Sequence, residues 1–196
     1  WLQALGDPRA VAGLVLDVVA QLEQQGCAPR GASLPRGTYH LLPAQLQGDH
    51  DDWDWWCLTD APAVQRGEDQ VRWLDDVDPA QIKAFLQAHS PRHSASPGDP
   101  HVQRWAGAVD DQGRLLATAA HEVLATSTPH LASVATHTQA RGQGWGGAVT
   151  AWISRQLLTE HPVVTLGMYA DNEPARRVYR RLGFDDRHRW TSIRWS

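Results

Sequence analysis

Lysine is almost missing from this 196-residue chain: Lys83 is the only one, and arginine supplies every other basic side chain. The formal net charge is −4, which argues against a general nucleic-acid binder. Cysteine is scarce too. Cys27 and Cys57 lie far apart, with no C-x-x-C pattern. That argues against a disulfide scaffold and makes a reducing compartment the default. Ten histidines are many, but no metal site is expected from them. No apolar run is long enough to span a bilayer, and the longest, Ala10 to Ala20, is interrupted by Asp17. The expectation is a cytoplasmic protein without metal, nucleic-acid or membrane partners. The chain begins at Trp1 rather than Met, so an upstream targeting segment stays open. Internal repeats and low-complexity segments are absent as well.

Hydrophobic residues make up 42% and charged residues 20%, which are globular values. The length suits one domain with an extension. Plentiful Arg, Ala and Gly with almost no Lys suggest a GC-rich bacterial gene. Charge is uneven along the chain. Residues 1–100 carry 7 Lys/Arg against 14 Asp/Glu, a net of −7, and residues 101–196 carry 11 against 8, a net of +3. A polyanionic ligand fits the second half better.

Asp7-Pro8 reads as a helix cap followed by proline at the first helical position. Val11, Leu14, Val15, Val18, Val19 and Leu22 then share one helical face. Residues 29–37 read as loop, 38–42 as a short strand ending at Pro43, 48–54 as an acidic loop, and 53–58 as a strand. Val71-Arg72-Trp73-Leu74 is a short strand. Asp78-Pro79 repeats the cap signal ahead of Ile82, Phe85, Leu86 and His89. Residues 90–100 are turn formers. Residues 105–109 and 115–120 are strands around a hairpin signal at Asp110-Asp111-Gln112-Gly113. Strand 131–136 runs into a glycine-rich turn and a helix ending near Glu160, whose apolar face is Trp145, Val149, Trp152, Ile153 and Leu157. Strand 163–169 leads to Asn172, which caps a helix lined by Ala175, Val178, Tyr179 and Leu182. The tail holds two short strands.

The turn Arg141-Gly142-Gln143-Gly144-Trp145-Gly146-Gly147 carries the chemistry. Glycines let the main chain approach a ligand, and free N–H groups at a helix start suit a pyrophosphate. A tight turn without a ligand is the bland alternative. A dinucleotide fold is another: Gly142, Gly144 and Gly147 match G-x-G-x-x-G, with Asp171 where a ribose-binding acid sits. Only 25 residues follow Asp171, too few for further strand–helix units.

Arg141-x-x-Gly144-x-Gly146 resembles the pyrophosphate motif of the GCN5-related N-acetyltransferase (GNAT) superfamily. The resemblance continues in order, through 132–136 as the fourth strand and Tyr169-Ala170-Asp171-Asn172 after the fifth. Asn172, Ala175, Tyr179 and Gly183-Phe184 resemble N-x-x-A-x-x-x-Y-x-x-x-GF, and Val71 to Leu74 with Asp78, Ile82 and Leu86 looks like the first strand and helix. It covers about residues 71–195. It implies an α/β fold with a mixed, mainly antiparallel sheet splayed between the fourth and fifth strands, flanked by helices. The division is an N-terminal helical extension over 1–69 and a GNAT domain over 70–196.

The resemblance further implies acetyl transfer from acetyl-CoA to a primary amine by direct attack. Val134, Ala135 and Thr136 would face pantetheine and the thioester carbonyl. Arg141, Gly142, Gln143, Gly144, Trp145 and Gly146 would hold the pyrophosphate, with Asn172 beside the cofactor. Tyr179 would protonate the leaving thiolate; its plain alternative is a buried helix tyrosine. His130 and Glu122 are weak candidates for a general base, each more readily a surface residue. Arg176, Arg177, Arg180 and Arg181 either reach the CoA 3′-phosphate or form a solvated face. Asp49, Asp51, Asp52 and Asp54 beside Trp53, Trp55 and Trp56 either receive a cationic amine or form an ordinary loop. The expected partner is a small-molecule or peptide amine, and a homodimer stays open. A non-catalytic acyl-CoA-binding module and a dinucleotide-binding oxidoreductase are the competing functions.

Overall fold

The structure, a computed structural model, describes residues 1–195. It contains nine strands and four α-helices among the described residues, and divides into two compact units. The first comprises residues 1–55, 168–173 and 186 onward; the second comprises 56–167 and 174–185. Neither is a continuous stretch of chain, because the last strand pairs with one near the N-terminus.

In the first unit, helix α1 (Pro8–Gln24) starts where the Asp7 carboxylate accepts the N–H groups of Arg9 (2.9 Å) and Ala10 (3.2 Å). The helix buries Val11, Ala12, Val15 and Val19. They pack against Ala32 and Leu34 of strand β2 (Gly31–Pro35) and Ile193 of β9 (Asp185–Arg194). Leu14, expected on that face, is 54% exposed; the smaller Ala12 takes the inward position. Strand order here is β1 (Leu2–Gln3), β2, β9 and then β3 (Asp49–Leu58). β1 runs parallel to β2, and β2 antiparallel to β9.

Four sequence expectations change here. The loop at 29–37 contains β2. A Cβ on Gly31 would lie 2.3 Å from the Ile193 carbonyl oxygen, so glycine admits a close main-chain approach. The expected strand at 38–42 is a 3-10 turn, because Thr38, Leu41 and Leu42 each donate three residues back. The acidic loop is the first half of β3. The two tail strands are one continuous strand, β9.

The second unit orders its strands β8 (Val164–Tyr169), β7 (Pro129–Thr136), β6 (Leu115–Val123), β5 (Val102–Val109) and β4 (Val71–Trp73). Neighbours from β4 to β7 are antiparallel; β7 and β8 are parallel. Helix α2 (Pro79–His89) lays Ile82, Phe85 and Leu86 over Leu74, Trp105, Ala120, Ala132 and Ala135. Helix α3 (Trp145–Leu158) buries Val149, Ile153 and Leu157 as the 3.6-residue period predicts, while Trp145 and Trp152 are only half-buried. Trp152 instead meets Trp73 edge to face, with ring centroids 5.2 Å apart. Helix α4 (Glu173–Arg181) follows β8.

Arg155 of α3 forms an ion pair with Glu68 and also donates to the Pro62 carbonyl at 3.2 Å. The Glu68 carboxylate takes the Gln65 N–H at 2.6 Å. This clamp fixes the 62–70 connection and presents Gly67, in a left-handed conformation (φ +85°), to the Trp145 ring. A Cβ there would come within 2.7 Å of the indole.

Candidate functional site

β7 and β8 pair at only two positions, His130 with Thr165 and Leu131 with Leu166. Beyond them β7 has no register partner on its β8 side, so residues 132–136 carry an open main-chain edge. A bulge marks the divergence. On β6 the register steps from Thr118 to Ala120, while on β7 it steps from Ala135 to Ala132. Three residues of β7 thus oppose two of β6, which bends the strand. Ser133 sits in this bulge at φ +49°, one of two non-glycine residues with positive φ among those described. Its hydroxyl donates to the Ala95 carbonyl (2.9 Å) and accepts the Ala95 N–H (2.7 Å). Two hydrogen bonds offset the roughly 1 kcal/mol that the left-handed conformation costs. No local pattern signals this pin.

β7 leads through His137 and a 3-10 turn (Thr138–Ala140) into Arg141–Gly144 and then α3. Gly142 (φ +78°) and Gly144 (φ +96°) need glycine for their backbone angles; a Cβ on either would meet nothing within 4 Å. Gly146 needs it for room, since its Cβ would lie 3.0 Å from Thr136 Oγ1. Gly144 caps α3 without a side chain, and the first turn holds no acidic residue. The opening N–H groups of α3 therefore lack side-chain acceptors beside a glycine-rich turn, an arrangement that suits an anion.

The structure thus places Val134, Ala135, Thr136, Gly142, Gly144 and Gly146 along one continuous path. Side chains of the loop make contacts of their own. The Arg141 guanidinium donates to the His89 carbonyl at 2.7 Å and ties the loop to the end of α2. Gln143 bonds to the Gln139 carbonyl (3.2 Å) and accepts from the Trp145 indole (3.3 Å).

Tyr179 lies on α4 and is 5% exposed, its ring against Phe184 at 5.9 Å. Burial raises its pKa well above that of a free phenol. The hydroxyl stays protonated and can donate a hydrogen bond. That same shift disfavours complete proton transfer to a thiolate. Asn172 is exposed directly before α4, and its N–H donates to the Tyr169 carbonyl at 3.0 Å.

The four arginines of α4 divide. Arg176 and Arg180 stand over the Trp56 ring at 5.9 and 5.7 Å. Arg177 is exposed. The Arg181 guanidinium lies 3.8 Å from where a Gly147 Cβ would be, beside the first turn of α3.

Glu122 and His130 are register partners across β6 and β7, on one face of the sheet. His130 is no surface residue. It is 9% exposed, and burial lowers its pKa to about 4. Thr165 Oγ1 donates to the Pro129 carbonyl (3.1 Å) and lies 3.0 Å from His130 Nδ1. With the hydroxyl proton committed, Nδ1 carries the imidazole proton. A ring with that pKa is a weak base for an ammonium proton. Glu122 is half-buried, and its pKa is raised by desolvation first and by Asp99 second, toward the range of a useful base.

The acidic stretch is engaged within its own unit. The Arg36 guanidinium bonds Asp54, which is fully buried, at 2.6 Å. Thr191 donates to Asp52 at 2.5 Å, and Arg194 pairs with Asp51 at 2.7 Å. These carboxylates hold β3 to its neighbours. Among the described residues no group of three or more His, Cys, Asp or Glu could hold a metal, and no helix is long and apolar enough to cross a membrane.

A family model described as FR47-like protein matches residues 107–195. Among curated proteins none matches the sequence. Solved structures are similar in fold. A GNAT-family protein from Novosphingobium aromaticivorans shows 22% identity and a TM-score of 0.64 over 74% of this chain and 63% of its own. The present chain thus spans less than two thirds of that protein's length. A GNAT-family acetyltransferase from Colwellia psychrerythraea gives 14% identity and a TM-score of 0.64 over 93% of this chain and 73% of its own. A GCN5-related N-acetyltransferase from Sphaerobacter thermophilus gives 19% and 0.58 over 92% and 67%.

Proposed function

We propose that this chain, which has the GCN5-related N-acetyltransferase fold and an FR47-like, GNAT-type region over 107–195, is an acetyl-CoA-dependent N-acetyltransferase acting on a primary amine. The observation that carries the reading is the divergence of β7 from β8 at the Ser133 bulge, continuous with the glycine-lined start of α3. An open strand edge ending in a row of helix N–H groups matches a ligand with amide groups in its arm and a pyrophosphate at its end.

The residues present fit that ligand. The main chain of Val134 to Thr136 would pair with the pantetheine arm, and a donor there would stabilise negative charge on the thioester oxygen. The N–H groups from Gly142 to Gly146 would hold the pyrophosphate, with Arg181 supplying positive charge beside them. Acetyl-CoA supplies the activated acyl group. The amine would attack it directly. Tyr179 would lend its proton as a hydrogen bond to the departing sulfur.

Acetyl-CoA turnover measured over an amine library, with CoA-induced thermal shift as the companion measurement, tests the reading. A ligand that binds only the folded state raises the melting temperature. CoA should do so and NAD should not. Stabilisation by NAD alone would overturn the assignment. CoA binding without turnover of any amine would favour the non-catalytic module.

A further inference from the structure

The corner between β7 and the phosphate loop is held by two histidines. His137 caps the 3-10 turn, its Nδ1 accepting the Gln139 N–H at 3.2 Å. From α2, His89 Nδ1 receives the Thr138 N–H at 3.4 Å and lies 2.9 Å from the Thr138 hydroxyl. Each Nδ1 therefore presents a lone pair to a main-chain donor. The ring centroids are 4.2 Å apart. The loop also ties back to the same point, because Arg141 donates to the His89 carbonyl.

We propose that His89 and His137 form a clamp positioning the entry to the phosphate loop, and that protonation of His89 loosens the loop and weakens CoA binding. A proton on His89 Nδ1 turns an acceptor into a donor facing the Thr138 N–H. It also sets a cation against the other ring. The charges acting on His89 are those of His137 and Arg141, and the Phe85 ring packs against it with centroids 4.7 Å apart. Burial first, then these neighbours, lower the His89 pKa from its usual 6.5. A depressed histidine pKa means that the neutral clamp contributes its stability above about pH 6.5, and that the contribution is lost as pH falls below it. The residues are positioning residues, since they act through the 137–144 backbone.

The inference rests on the CoA reading for its consequence, but the clamp can be tested without CoA. In H89N/H137N each Asn places Oδ1 where Nδ1 stands and does not titrate. Hydrogen exchange at the Thr138 and Gln139 amides is compared between wild type and variant at pH 7.5 and 5.5. Wild type should lose protection relative to the variant at pH 5.5. Equal protection of the two proteins at pH 5.5 overturns the clamp, whatever CoA does. CoA affinity is then measured by calorimetry at both pH values, and the variant cancels titration of the ligand's own phosphate. Wild-type Kd should rise relative to the variant by about fivefold, the equivalent of one lost cap. Parallel behaviour, or tighter wild-type binding in acid, overturns the proposal, the latter by making the histidines phosphate ligands. Absence of CoA binding to both proteins at pH 7.5 would instead refute the functional reading. If the double variant fails to fold, H89N alone tests the Thr138 amide in the same way.

Discussion

His130 should make this protein acid-sensitive in a quantity the structure fixes. Its pKa falls from 6.5 in the open chain to about 4 in the fold, because burial disfavours the imidazolium. The neutral ring therefore contributes stability that is complete above pH 6.5 and is lost as pH falls toward 4. That difference corresponds to ~3 kcal/mol when fully expressed, and to ~2 kcal/mol at pH 5. His130→Asn can keep the hydrogen bond to Thr165 through its amide without titrating. Urea midpoints at pH 7.5 and pH 5 should show the wild type losing ~2 kcal/mol more than the variant. Many mesophilic domains hold only 5–15 kcal/mol in total, so the effect is measurable. Equal losses in the two proteins would mean that His130 is solvated or already paired as a cation. The same variant should retain acetyl transfer, since a ring of that pKa is a poor base.

Four other outcomes follow from particular contacts. Gly144→Asp should abolish the CoA-induced thermal shift, because φ +96° disfavours any side chain and the carboxylate would oppose phosphate. Tyr179→Phe should lower kcat on the order of 10²-fold with CoA affinity kept; unchanged turnover with a good acceptor would return Tyr179 to a packing role. Ser133→Ala should cost ~2 kcal/mol in urea unfolding by stranding both main-chain groups of Ala95. Arg155→Met should cost ~3 kcal/mol by leaving Glu68 buried and uncompensated, and Arg155→Met with Glu68→Met should recover most of it.

Much of the second unit was legible in the sequence because its signals are local. Asp78-Pro79, the 3.6-residue period of 145–157 and the glycines of 142–146 each specify their structure within a few residues. The first unit was harder. Strands β2 and β3 lie in segments rich in Pro, Gly or Asp, and what makes them strands is pairing with residues more than a hundred positions away. Ala32 opposite Ile193 and Asp52 bonded to Thr191 are examples. The fate of the acidic stretch depended on Arg36 and Arg194 coming to meet it, which no local pattern records.

The sequence by itself determined the glycine-rich turn, the helix that starts there, the strands around it and the family resemblance they carry, because short-range geometry and glycine's freedom suffice for each. Only the tertiary structure decided where β7 parts from β8, that Ser133 takes the bulge, that the Arg141 side chain serves α2, and that His130 is buried and neutral. Those outcomes depend on register and desolvation, which arise when distant segments pack and are properties of no single stretch of chain.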